Sequence, residues 1–151
     1  MIKPGLLREM IVKHEPFFNR NPDRLEVFIT KGNLIATGSN SASFLYQYQL
    51  EVLALDYPNP LDNLSIPILA WARLHQPDLL FNPDRRKDGF RFEVDLLNND
   101  TADILFTLPA SERVIVSKDS GQLIPTHIDE PPQDSPLLTA WDVLISQEVT
   151  V

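Results

Sequence analysis

Four carboxylates, Glu93, Asp95, Asp100 and Asp103, crowd the short stretch GFRFEVDLLNNDTAD. Carboxylates gathered in this way can hold a divalent ion that activates water, as metal-dependent nucleases do. Glu93 and Asp95 are two apart, so on a strand they share a face. Asp100 falls instead in Asn98-Asn99-Asp100, a polar turn where Asp is commonly found. The stretch therefore reads as a hairpin rather than a metal centre.

Asp84-Arg85-Arg86-Lys87-Asp88-Gly89 has the outer residues of a calcium loop, but three cations stand among its would-be ligands and the distal glutamate is missing. It reads as an exposed charged loop, and Arg85, Arg86 and Lys87 form a local positive spot that could meet an acidic partner surface. The three histidines, His14, His75 and His127, fall in three different elements at no ligand spacing. A surface or helix-end histidine accounts for each, and His75 near a helix C-terminus is favoured there by the macrodipole. Serines are plentiful in Gly38–Ser43 (GSNSAS) without a histidine nearby in sequence. No G-x-G-x-x-G, P-loop or G-x-S-x-G pattern occurs. We assign no catalytic, cofactor-binding or metal-ligating residue, and no cofactor is implied.

The elements that carry these residues read as follows. Pro4 suits the first turn of a helix in which Leu6, Leu7, Met10 and Ile11 share a face, ending near Pro16. Leu25, Val27 and Ile29 alternate as a strand, before an expected turn at Lys31-Gly32-Asn33 and a short return strand. In SFLYQYQLEVLAL, Phe44, Tyr46, Tyr48, Leu50, Val52 and Ala54 line a core face, with Gln47, Gln49 and Glu51 on the wet one. NPLDNLSIPILAWARLHQPD carries a second helix, capped by Asp62 or Ser65 and closed by Pro77, with Leu64, Ile68, Trp71 and Ala72 on its buried face. About four strands follow, with turns expected at Asn98–Asp100 and at Asp119-Ser120-Gly121. Strands joined by short turns give an antiparallel sheet. The fold class is thus α+β, a mostly antiparallel sheet with two main helices packed on one face and an extended C-terminal arm.

That arm is chemically distinct. Residues 1–118 hold 15 acids and 13 bases, whereas residues 119–151 hold six acids and no Lys or Arg, so most of the net charge of −8 sits at the end. We divide the chain into a domain over 1–128 and, over 129–151, a Pro- and acid-rich linker with a β-arm. In LLTAWDVLISQEVTV, Trp141, Val143, Ile145, Val149 and Val151 share one parity, the signature of a half-buried strand. The extended spacer before it, about 129–136, reaches roughly 25 Å, enough to cross a subunit boundary. Trp141, Val143, Ile145 and Val149 are accordingly candidate interface residues that pair outside their own core. An acidic surface repels phosphate backbones, so nucleic-acid binding is not expected. No apolar run approaches the roughly 20 residues of a membrane helix. MIKPGLLREMIVKHE reads as no secretory signal, and the absence of cysteine suits a reducing cytosol.

KPGLLREMI, NPDRLEVFITKGNL, ILAWARLHQPDLL, Gly89–Asp100, SERVIVSKDSG and HIDEPP, in this order, resemble the tail completion protein R family of P2-like contractile-tailed phages and prophages. The most specific piece is Pro67, Leu69, Ala70 and Trp71 followed by Gln76, Pro77 and Asp78. The resemblance covers about residues 1–132 and leaves the terminal strand outside it. It implies an assembly factor without catalytic residues, which caps the finished tail so that growth stops and the head can join. By looser analogy, tail terminators of other long-tailed phages are small subunits forming sixfold rings. The partners so implied are further copies of the chain (a ring, a hexamer by that looser analogy), tail tube or sheath proteins, and head–tail connector proteins. The place implied is the head-proximal end of the virion tail, assembled in the host bacterial cytoplasm. A transient tail-assembly adaptor or chaperone and a nuclease using Glu93 and Asp95 are the alternatives.

Overall fold

The computed structural model describes residues 1–38, 42–98 and 100–130, without the side chain of Arg86. The terminal strand and its residues Trp141, Val143, Ile145 and Val149 lie outside the described residues. The chain runs through α1 (Lys3–His14), α2 (Phe17–Arg20), a 3-10 turn (Pro22–Arg24), β1 (Leu25–Ala36) and β2 (Phe44–Tyr57). It continues through α3 (Asp62–His75), α4 (Asp78–Phe81), α5 (Pro83–Arg86), β3 (Arg91–Leu96), β4 (Ala102–Asp119) and β5 (Gln122–Ile128). All strand pairs are antiparallel, in the order β1-β2-β4-β3, with β5 also on β4. The architecture is the expected α+β sheet under a helical layer.

Pro4 sits in the first turn of α1, and Leu7 and Ile11 are fully buried one turn apart. In α3, Leu64, Ile68, Trp71 and Ala72 form the buried stripe that the spacing predicts. Its N-cap is Leu61 rather than Asp62 or Ser65, and no side chain caps it. Ser65 Oγ instead donates back to the Leu61 carbonyl at 3.2 Å. The short side chain finds a partner one turn behind itself. On the sheet, Tyr48, Leu50, Val52 and Ala54 of β2 face Ala110, Leu108, Phe106 and Ile104 of β4, and all eight are buried.

Two expectations about the strands are corrected. The Lys31-Gly32-Asn33 turn does not form, and β1 runs unbroken to Ala36. Ile29 pairs with Leu50 and Lys31 with Gln49, so Thr30 is an extra residue, a β-bulge. The bulge moves the sheet face shared by Leu25, Val27 and Ile29 on to Gly32, Leu34 and Ala36, opposite Tyr48, Tyr46 and Phe44, and this break in alternation mimics a turn. Gly32 is required there, because a Cβ would stand 2.7 Å from the Gln47 carbonyl oxygen. Gly32→Val should cost about 2 kcal/mol by forcing the β1–β2 backbones apart, a loss that urea denaturation would register.

The second correction concerns β4, which is one strand of 18 residues rather than two. β3 covers it as far as Thr107 and β5 resumes at Arg113, so Leu108–Glu112 have no strand on that side among the described residues. The N–H of Ser111 points into this gap, and the two-residue period aims the nitrogen of Pro109 the same way. Proline has no N–H to leave unpaired, so it fits a strand interior only at such an opening. The turn at Ser120-Gly121 forms as expected, with positive φ at both residues.

Candidate functional site

The opening in β4 is closed by side chains. Gln76, the C-cap of α3, accepts the Ser111 N–H at 3.1 Å and donates to Ser111 Oγ at 3.2 Å. Its carbonyl oxygen also accepts from Lys3 Nζ at 2.9 Å. Lys3 is fully buried at the start of α1, and its ammonium reaches Glu130 Oε1 at 3.1 Å. Trp71, fully buried, donates from Nε1 to the Lys3 carbonyl at 3.1 Å. Helix α3 therefore holds the start of the chain from two of its turns.

Glu112 holds it from the sheet. Its side chain lies on the buried parity of β4, between Ala110 and Val114. Its carboxylate accepts from Ile2 N–H at 2.9 Å, Lys3 N–H at 3.4 Å and Tyr48 OH at 2.7 Å, and lies 2.9 Å from His127 Nδ1. Burial alone would raise this carboxyl. The hydrogen bonds from Ile2, Tyr48, His127 and Lys3 outweigh that and hold it below the usual carboxylate range. Burial, with Glu112 as acceptor, pushes the Tyr48 phenol far up, so it stays a donor.

A second buried carboxylate, Glu15, secures the far end of α1. It accepts from Tyr57 OH at 2.6 Å, Phe17 N–H at 3.1 Å and Asn63 Nδ2 at 3.2 Å. Burial again opposes ionisation, and the bonds from Tyr57, Phe17, Asn63 and Asn59 again prevail. Both carboxylates thus lie below their ordinary 4.5 in the fold. A depressed carboxylate stabilises fully above its unfolded value, and the gain is lost as pH falls through the folded one. The domain should therefore hold its urea midpoint from neutral pH down to about 5 and lose it steeply below about 4. Glu112→Gln should flatten that decline.

Of the residues singled out in sequence, Glu93 and Asp95 lie on the solvent side of β3, opposite Leu105 and Asp103. Asp103 accepts the Asp56 N–H at 2.9 Å, and Asp100 N–H donates to Asn98 Oδ1 inside the turn. Among the described residues no three His, Asp or Glu side chains converge as metal ligands. His75 pairs with Asp129 at 2.8 Å. His127 is more than the surface group expected, since it belongs to the Glu112 cluster. Arg85 pairs with Asp78, Lys87 is exposed, and the Arg86 side chain lies outside the described residues. A shallow cavity of about 380 Å³ opens between β1 and the head of β3, and its charged lining is Lys31, Asp88 and Arg91. It holds no paired acid and base suited to proton transfer.

Sequence reasoning named Gln76 only as part of the motif and gave no role to Lys3 or Glu112. One signal was available, because Glu112 interrupts an otherwise apolar parity from Ala102 to Val114, and a charge on the buried face demands partners.

The clamp draws Trp71 and Gln76 from the motif Pro67–Asp78, Lys3 from the opening KPG, and Ser111 and Glu112 from SERVIVSKDSG. The family model described as P2 phage tail completion protein R (GpR) matches residues 1–131, which is the described domain from end to end. The chain belongs to the P2 phage tail completion protein R family. Tail completion protein R of Escherichia phage P2 is 34% identical over 149 residues, covering 99% of this chain and 96% of that protein. No solved structure matches. The family match ends beside Glu130, whose carboxylate meets the buried Lys3. No helix among the described residues is long and apolar enough to cross a membrane.

Proposed function

We propose that this chain is a structural subunit of phage tail completion, acting by protein–protein contact without bond-making chemistry of its own. The observation that carries the reading is the collinear family match over the whole folded domain, continued by a 34% identical relative to almost the full length of the chain. The side chains fit it. Among the described residues, the buried ionisable groups serve to fasten the two ends of α1, with Lys3 and Glu112 at its start and Glu15 at its finish.

The subunit closes the head-proximal end of a finished tail, as a ring of identical copies, and presents the surface to which the head is joined. Its neighbours are tail tube or sheath proteins on one side and connector proteins on the other. The ring is assembled in the host cytoplasm, held by residues 141–149 of each copy and by the basic spot at Arg85–Lys87 against the acidic linker of the next. Carboxylates facing the lumen keep passing DNA from adhering.

The experiment is mass analysis of purified particles together with micrographs of a strain lacking the gene. A fixed copy number in mature tails, and unjoined tails of irregular length without the chain, are expected. A chain required for joining yet absent from mature particles would make it a transient adaptor instead. Normal tails without it would end the reading.

A further inference from the structure

Among the described residues β3 pairs with β4 alone, which makes it an edge strand, and it is exposed along its whole length. Arg91, Glu93 and Asp95 point to one side. Phe92, Val94 and Leu96 point to the other, directly opposite Phe106, Ile104 and Ala102 of β4, which are buried in the core. The apolar face of the sheet therefore continues one strand beyond the helices that cover it. Phe92 is 55% exposed, Val94 45% and Leu96 76%. Soluble proteins protect sheet edges with lysine, proline, bulges or a covering element. β3 contains neither lysine nor proline, pairs with β4 without irregularity, and carries its charges on the opposite face. An apolar row beside an unpaired backbone edge is a receptor for an added strand.

We propose that this edge receives residues 141–151 of a second copy, with Trp141, Val143 and Ile145 extending the row of Phe92, Val94 and Leu96. The inference rests on the ring reading above and names its acceptor. The 21 residues after Glu130 contain an alternating apolar segment of the length and parity the edge lacks. Their departure point favours a neighbour over the same chain. Asp129 is held by His75 and Glu130 by Lys3. Glu130 lines a cleft with Pro77, Phe81 and Pro83, so the chain leaves the described fold beside the α4–α5 segment. Two consecutive prolines, Pro131 and Pro132, come next in the sequence, a pair whose local preference is for extended backbone. Donor exit and acceptor edge are different surfaces of one molecule, and such head-to-tail contacts close into rings.

The full-length chain has no cysteine, which makes the test clean. Val94→Cys and Val143→Cys are made as separate proteins, mixed and oxidised, both in concentrated solution and on tails assembled from the mixture. A disulfide joining one molecule of each is expected, with at least tenfold less when Glu93→Cys on the opposite face replaces Val94→Cys. Val94→Lys, at an exposed position, should lower the self-associated fraction about 30-fold, the scale of losing one interface anchor, with an unchanged melting temperature. A disulfide formed within the double variant, and never between the two single variants, would overturn the proposal in favour of pairing within one chain. No disulfide in solution or on tails would overturn the surface itself. Either failure, with the chain still present at fixed copy number in tails, leaves the tail-completion reading intact. Absence of the chain from tails removes that reading separately.

Discussion

Glu112→Ala should destabilise the domain by about 4 kcal/mol, read as a fall in the urea midpoint at constant m-value. The substitution leaves Ile2 N–H, Lys3 N–H, Tyr48 OH and His127 without their shared acceptor in a site where Glu112 itself is 1% exposed. Each buried donor stripped of its partner costs about 1–3 kcal/mol, and breaking a buried charged site by removing one partner costs about 3–5. The total cannot exceed the marginal stability of a domain this size, about 5–15 kcal/mol. Glu112→Gln keeps the shape and two acceptor lone pairs, so it should cost about half as much. The loss should also be local in its first stage, with amide protection of residues 2–7 falling before that of β2 and β4. A cost below about 1 kcal/mol for Glu112→Ala would mean that water replaces the carboxylate and that the clamp is not what fastens α1.

Trp71→Ala is expected to cost about 4 kcal/mol, within the range for deleting a large aromatic from a core. Trp71 is wholly buried in the core, and its Nε1–H is the donor that meets the Lys3 carbonyl. Trp71→Phe separates the two contributions. It keeps much of the apolar volume but gives up that hydrogen bond, so about 1–2 kcal/mol is expected. Because Trp71, Lys3 and Glu112 share one network, the double variant Trp71→Phe with Glu112→Gln should lose less than the sum of the single losses. Strict additivity would show that helix α3 and strand β4 hold the N-terminus independently.

The two variants also bear on assembly. Lys3 joins the clamp to Glu130, the last described residue before the linker. Loosening α1 therefore frees the base of the segment that we assign to a neighbouring copy, without touching β3. A fold defect and an assembly defect should appear together for Glu112→Ala, whereas Val94→Lys should give the assembly defect alone.

How far the sequence reaches can be judged element by element. Local signals sufficed where the deciding interaction lies within a few residues. Pro4 and Pro77 bracket the helices because proline restricts its own turn and its neighbour. Ser120-Gly121 makes a hairpin because that turn needs two positive φ values. The period of β2 states which face is buried, since alternation is a property of the strand itself. Collinear fragments such as Pro67–Asp78 also indicated the family before any geometry was known.

Interactions between residues distant in sequence were decided only by the tertiary structure. The Thr30 bulge exists because β1 must match the register of β2, and in sequence it looks like a turn. Pro109 sits inside a strand, because β3 and β5 stop short of it on either side and Gln76 supplies the missing acceptor to Ser111. Lys3 and Glu112 are 109 residues apart, and nothing in either neighbourhood says that they meet. The open apolar face of β3 depends on how far the helical layer extends, a matter of packing geometry that no local pattern encodes. Periodicity and turn chemistry are therefore legible from the chain alone, whereas register, gaps and the partners of buried charges follow from which distant segments come to lie together.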